Sequence, residues 1–185
     1  MGMRQGSRRK PSSTKRRKPS STKRRKRQNK KTSRQAENFF FSTSAEHTQK
    51  IGLKLMEDLY CFSPLLISIK GPVGVGKTTF IKGLVLKWLE LSGESLSGHI
   101  VSPSFPIAKI YGVQKPIAHL DLYRLESFQE LEEIDYETYF YEMPCCIVEW
   151  LDKFPELLKK LPKQITTIEI SYGKKTSDRI LQILS

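Results

Sequence analysis

The amino-acid sequence predicts an α/β sandwich. Three observations carry that prediction. Short apolar runs at Leu65–Ile69, Ile117–Leu120 and Cys146–Val148 read as buried strands. Between the first two, Phe80, Ile81, Leu84, Val85, Trp88 and Leu91 recur at helical spacing. A glycine-rich turn, Gly71–Thr78, joins the first strand to that helix. Strands interleaved with helices bury their apolar faces best as helices laid on a central sheet.

The chain starts with a segment that takes no part in this pattern. Residues 1–36 hold 16 of the 32 Lys/Arg and none of the 19 Asp/Glu, leaving 16 basic against 19 acidic residues in 37–185. The net charge of +13 is therefore a property of the tail. The octapeptide KPSSTKRR occurs at Lys10–Arg17 and again, unchanged, at Lys18–Arg25. With almost no apolar side chain to bury, residues 1–36 are expected to be disordered, and residues 37–185 to form one domain. The partners such a tail suits are polyanions, RNA above all; a solvated tail without a dedicated role is the plainer alternative. It has no apolar face, which argues against a transit peptide.

Within 37–185, Phe39–Phe41 reads as a first strand. Thr43-Ser44-Ala45-Glu46 reads as a capping box opening a helix with Ile51, Leu55 and Leu59 on one side. After the central helix, Ser92–Gly98 is a Ser/Gly loop. Further strands are expected at Ile107–Tyr111, Ile117–Leu120 and Cys146–Val148. Helices are expected at Ser127–Glu133, capped by Ser127, and at Leu151–Leu161, bounded by Pro162. Ile165–Tyr172 and Arg179–Leu184 alternate apolar and polar residues, as a terminal hairpin does.

Gly71–Thr78 has the pattern G-x-x-x-x-G-K-T, in the strand–loop–helix context that a phosphate-binding loop requires. Glycines let backbone N–H groups converge on a phosphate, and the helix N-terminus adds partial positive charge. Lys77 can reach the β- and γ-phosphates, and the Thr78 hydroxyl can ligate Mg²⁺. A nucleotide triphosphatase also needs carboxylates near the phosphates. Asp121 and Glu149 each end an apolar strand, where ligands of parallel sheets gather. Asn-Lys-x-Asp, the usual guanine reader, is absent, which favours ATP.

Other chemistries find less support. Cys61, Cys145 and Cys146 are odd in number and lack metal-ligand spacing; the adjacent pair opens an apolar run, as reduced core thiols of a cytoplasmic protein do. His47, His99 and His119 are scattered along the chain. No run of 18 apolar residues appears, so no membrane span is expected.

The ordered set GPVGVGKTTF, SPSF (Ser102–Phe105), HLDLYRL (His119–Leu125) and VEW (Val148–Trp150) resembles the TsaE family, small bacterial ATPases of threonylcarbamoyladenosine synthesis on tRNA. The likeness covers about residues 39–185. It implies a P-loop fold with a mixed sheet, ATP and Mg²⁺ as cofactors, and TsaD and TsaB as partners. That pair transfers threonylcarbamoyl to the adenosine beside the anticodon, and hydrolysis supports turnover of the assembled complex. The resemblance implies nucleotide contacts at Gly71, Gly74, Val75, Gly76, Lys77, Thr78 and Thr79. It places Thr78 on Mg²⁺, and gives Asp121 and Glu149, beside Lys77, the catalytic metal and water roles. Ser104 stands where the family usually has Thr in a switch-like loop. Trp150 is implied near the nucleotide, with plain packing as the alternative; Arg124 reads as a charge stabiliser or a structural ion pair. Pro72 and Pro106 depart from the family pattern without removing a phosphate contact.

Two other functions compete. A small-molecule kinase on the same fold would want lid arginines, and Arg124 and Arg179 are the only arginines after the tail. A basic RNA-binding module with a decayed ATPase site conflicts with intact Lys77, Thr78, Asp121 and Glu149.

Overall fold

A computed structural model describes residues 2, 39–96, 98–103, 106–161 and 164–184. The chain divides into Met1–Ser33 and Arg34–Ser185, and all the elements below belong to the second unit. The disorder expected of residues 1–36 concerns a stretch that, but for Gly2, lies outside the described residues.

In chain order the elements are β1 (Phe39–Ser42), α1 (Ala45–Leu59), β2 (Leu65–Lys70), α2 (Lys77–Leu91), β3 (Ala108–Tyr111), β4 (Ile117–Asp121), α3 (Phe128–Glu133), β5 (Cys145–Glu149), α4 (Pro155–Lys160), β6 (Ile165–Tyr172) and β7 (Arg179–Leu184). The described strands form one seven-stranded sheet in the order β1-β7-β6-β2-β5-β4-β3. Its centre is parallel: β6 beside β2, β2 beside β5, β5 beside β4. Both margins are antiparallel, β7 with β6 and β1 on one side and β3 on the other. The sheet is thus mixed, as the family resemblance implies.

Strand alternation sorts the core into two layers. Ile67, Ile69, Ile117, Cys145 and Ile147 pack beneath α1 and α2 with Phe80, Leu84 and Trp88. Leu66, Ala118, Leu120, Cys146 and Val148 face the opposite layer, with Leu131, Phe140 and Leu157. Burial raises the thiol pKa of both Cys145 and Cys146. α1 and α2 meet through glycines: a Cβ on Gly52 would strike the Phe80 carbonyl, and one on Gly83 the Gln49 carbonyl. That close crossing seats α2, and with it the loop at its N-terminus.

Two expectations need correction, and one element was not anticipated. The cap of α1 is Ser44, whose Oγ accepts the His47 N–H at 3.1 Å; Glu46 sits in the first turn and the Thr43 capping box does not form. Leu151–Leu161 is two pieces, a 3₁₀ turn at Leu151–Lys153 and α4 from Pro155. Pro155 has no N–H to continue a helix, and Phe154 before it leaves the helical region at φ −117°, ψ 70°. A π-helical turn at Thr138–Glu142, which buries Phe140, had no sequence signal. Among the described residues no helix is long and apolar enough to cross a membrane.

Candidate functional site

The site begins where β2 ends. Gly71 has φ +140°, and a Cβ there would strike the Ile170 carbonyl. Gly74 and Gly76 sit at φ +76° and +104°, which side chains rarely adopt. This backbone carries the chain from β2 round into α2, with Gly76 as the cap. The first-turn N–H groups of α2, from Lys77, Thr78 and Thr79, are left without intrahelical acceptors, a ready anion site. Val75 adds backbone only, since its side chain is fully buried.

Lys77 is the hub. Its Nζ donates to the carbonyls of Gly71 and Pro72 at 3.0 and 3.1 Å. It lies 3.8 Å from Glu149 Oε2 and 4.4 Å from the centre of the Trp150 ring. Burial lowers the Lys77 pKa, while Glu149, Asp121 and Asp152 pull it back up. Trp150 has a left-handed backbone, φ +64°, costly for a side chain with a Cβ and placed beside the loop. Its ring also meets Tyr123 at 5.1 Å.

The sheet brings the two carboxylates together. Asp121 on β4 is in register with Glu149 on β5, and Glu149 with Ile69 on β2, just before the loop. Glu149 is 2% exposed and Asp121 half-buried. Asp121 Oδ2 accepts from Ser102 Oγ at 2.8 Å, and its Oδ1 from the Tyr123 N–H at 3.1 Å. Glu149 Oε1 pairs with His119 Nε2 at 2.9 Å. One cavity is lined by Gly74, Lys77, Thr78, Asp121, Glu149 and Trp150, together with Arg124. Ser104 lies outside the described residues.

A second cavity opens on the other flank of the loop, lined by Gly74, Gly76, Thr79, Ser44, Thr48 and Arg179 among others. Here the β6–β7 hairpin reaches the loop. Arg179 Nε donates to the Val75 carbonyl at 2.6 Å, and Tyr172 OH to the Val73 carbonyl at 3.2 Å. Arg179 Nη1 also closes the hairpin turn through the carbonyls of Thr176 and Asp178.

Four residues that sequence reasoning did not place at the site are therefore there: Ser102, His119, Tyr172 and Arg179. His119 did carry a signal. It stands two residues before Asp121 on one strand, so both project from the same face. Tyr172 and Arg179 carried none, because only the hairpin's packing brings them to a loop about a hundred residues earlier.

The donor set fits a nucleotide with a hard divalent cation. Thr78, Asp121 and Glu149 offer oxygen, and Mg²⁺ typically takes one or two carboxylates and completes its shell with phosphate oxygens and water.

The family model described as "Threonylcarbamoyl adenosine biosynthesis protein TsaE" matches residues 42–181. A protein of Nostoc sp. named tRNA threonylcarbamoyladenosine biosynthesis protein TsaE is 32% identical over 142 residues, 74% of this chain and 80% of that one. A Treponema pallidum protein of the same name is 28% identical over 132 residues, 70% of this chain and 87% of its own. In fold, the chain is similar to the crystal structure of Bacillus subtilis YdiB, with a TM-score of 0.56 at 24% identity over 78% of this chain and 82% of that one.

Proposed function

The chain belongs to the TsaE family, and from that premise we propose that it binds and hydrolyses ATP with Mg²⁺, in the cytoplasm, in support of threonylcarbamoyladenosine synthesis on tRNA by TsaD and TsaB. The observation that carries the reading is the placement of Glu149. It ends the strand next to β2, in register with Asp121, with Oε2 3.8 Å from the phosphate-loop lysine.

In this reading the loop N–H groups and Lys77 hold the β- and γ-phosphates. Thr78 and Glu149 would hold Mg²⁺, with Asp121 beside them. Bound there, the ion would supply counter-charge to the phosphate oxygens. Asp121 and Glu149 orient the attacking water. Electrostatics and positioning carry phosphoryl transfer, and the residues supply both.

The test is ATP turnover by the full chain, alone and with purified TsaD and TsaB. Slow turnover alone and clear stimulation by the pair are expected. Turnover unaffected by the pair, at any ratio, would remove TsaD and TsaB from the proposal.

We also propose that residues 1–36 contact tRNA phosphates. The support is 16 Lys/Arg without one Asp/Glu, ahead of a remainder with an acidic excess. Counterion release makes such binding steeply salt-dependent and nearly indifferent to sequence. Deleting residues 2–36 should abolish tRNA binding by the isolated chain and leave ATP binding intact. Equal tRNA affinity of both chains at two salt concentrations would sink the idea.

A further inference from the structure

We propose that His119 is a positioning residue for the ATPase reaction: it holds one oxygen of Glu149 so that the other is presented to Lys77 and the phosphate site. The inference rests on the ATPase reading above.

The pair is built into the sheet. His119 and Asp121 share a face of β4, and their register partners on β5 are Ile147 and Glu149. His119 thus sits diagonally from Glu149 on one face, within reach of a long side chain. The Nε2–Oε1 distance is 2.9 Å, with His119 wholly buried and Glu149 2% exposed. Water does not compete for the bond.

The chemistry assigns the proton. An ionised carboxylate only accepts, so Nε2 must carry the hydrogen. Nδ1 is buried and has no partner among the described residues. A bare nitrogen lone pair is the cheaper group to leave there, since a buried N–H without an acceptor is rare in folded proteins. Both ends of the ring select the same tautomer.

The consequence falls on Glu149. Its Oε2 stands 3.8 Å from Lys77 Nζ, beyond hydrogen-bond range. With Oε1 tied down, the carboxylate keeps that separation. Released, it has the lysine as its strongest neighbour. A closed Lys77–Glu149 pair would withdraw both groups from the phosphates. The Gly71 and Pro72 carbonyls hold the lysine's side of that spacing, and the Nε2–Oε1 bond of His119 holds the carboxylate's side.

The test uses the full chain with TsaD and TsaB. His119→Phe should lower kcat for ATP by roughly 10–100-fold, the usual cost of losing a partner of a ligating group, with KM for ATP moved less than about threefold. His119→Gln, whose amide can donate to the same oxygen, should recover most of kcat, and it serves if the Phe variant does not fold. In a Glu149→Gln background, His119→Phe should add less than about twofold, since coupled residues are not additive. An unchanged kcat, or an equal loss in both backgrounds, overturns the proposal. An independent readout is the imidazole nitrogen spectrum of the full chain. The proton should sit on His119 Nε2, and its resonance should shift in Glu149→Ala. A proton on Nδ1, or no shift, overturns the proposal without reference to turnover. Should the wild-type chain hydrolyse no ATP even with TsaD and TsaB, the ATPase reading fails, and the nitrogen spectrum still decides what His119 does.

Discussion

The glycine-rich loop Gly71–Gly76 is held from two flanks, and they differ in kind. On the β4–β5 flank the groups are charged side chains: Lys77 faces Glu149, Glu149 is tied to His119, and Asp121 to Ser102. On the β6–β7 flank the partners are the loop's own carbonyls, Val73 bound by Tyr172 and Val75 by Arg179. The first flank holds polar and charged side chains; the second holds backbone. Glycines at positive φ give the loop its path but no side chain with which to keep it. The hairpin supplies that grip. Changes on the first flank should therefore alter chemistry at nearly constant fold stability, and changes on the second should alter loop shape and stability together.

The largest effect belongs to Glu149→Gln. The change keeps the shape and removes the charge proposed to organise metal and water. Turnover in the assembled complex should fall by roughly 10²–10⁴-fold, the range for losing a positioned acid–base group, while ATP still binds. Wild-type turnover in the variant would remove Glu149 from the chemistry. Lys77→Ala is the converse probe. It deletes the charge proposed to meet the β- and γ-phosphates, worth about 2–3 kcal/mol for charge-assisted bonds, or roughly 30–150-fold in ATP affinity. Calorimetric titration reads it directly, and near-native affinity would refute the phosphate-loop assignment.

The two flanks also differ in how far the sequence revealed them. Glu149 and Asp121 were legible because a parallel sheet collects its strand ends at one edge, and each ends an apolar run. The glycine pattern marked Gly71–Thr78 from local signals alone. Arg179 and Tyr172 were not legible, since nothing local says that a hairpin margin will fold against a distant loop. His119 lies between the cases. Its spacing from Asp121 puts both on one face, yet only the pairing of β4 with β5 brings Glu149 to it. The break at Phe154-Pro155 was written in the proline, although the apolar periodicity on either side suggested one helix.

The hairpin flank is sharpened by Arg179→Ala. The variant loses the charged donor on the Val75 carbonyl and two bonds that close the hairpin turn. Hydrogen bonds from charged groups contribute about 1.5–3 kcal/mol. The unfolding midpoint should drop by roughly 3–10 °C at this chain length, and ATP affinity should weaken about tenfold as the loop slackens. The joint loss is the signature of this flank. A variant that loses affinity at an unchanged midpoint would mean that Arg179 acts on the ligand rather than on the loop.

The smallest change probes the first flank at its rim. Ser102→Ala removes the 2.8 Å bond to Asp121 Oδ2 but leaves Asp121 Oδ1 on the Tyr123 N–H. The carboxylate keeps its place on β4 and gains freedom to turn. A neutral hydrogen-bond donor is worth about 1 kcal/mol, so turnover with TsaD and TsaB should fall about fivefold. Asp121 is half-buried at the cavity and Ser102 belongs to a loop, so the unfolding midpoint should stay within about 2 °C of wild type. Ser102→Thr, which keeps the hydroxyl, should recover the loss. If alanine and threonine act alike, bulk rather than the hydrogen bond matters at this position. If the midpoint falls while turnover holds, Ser102 supports the fold, and the contrast between the flanks fails at its rim.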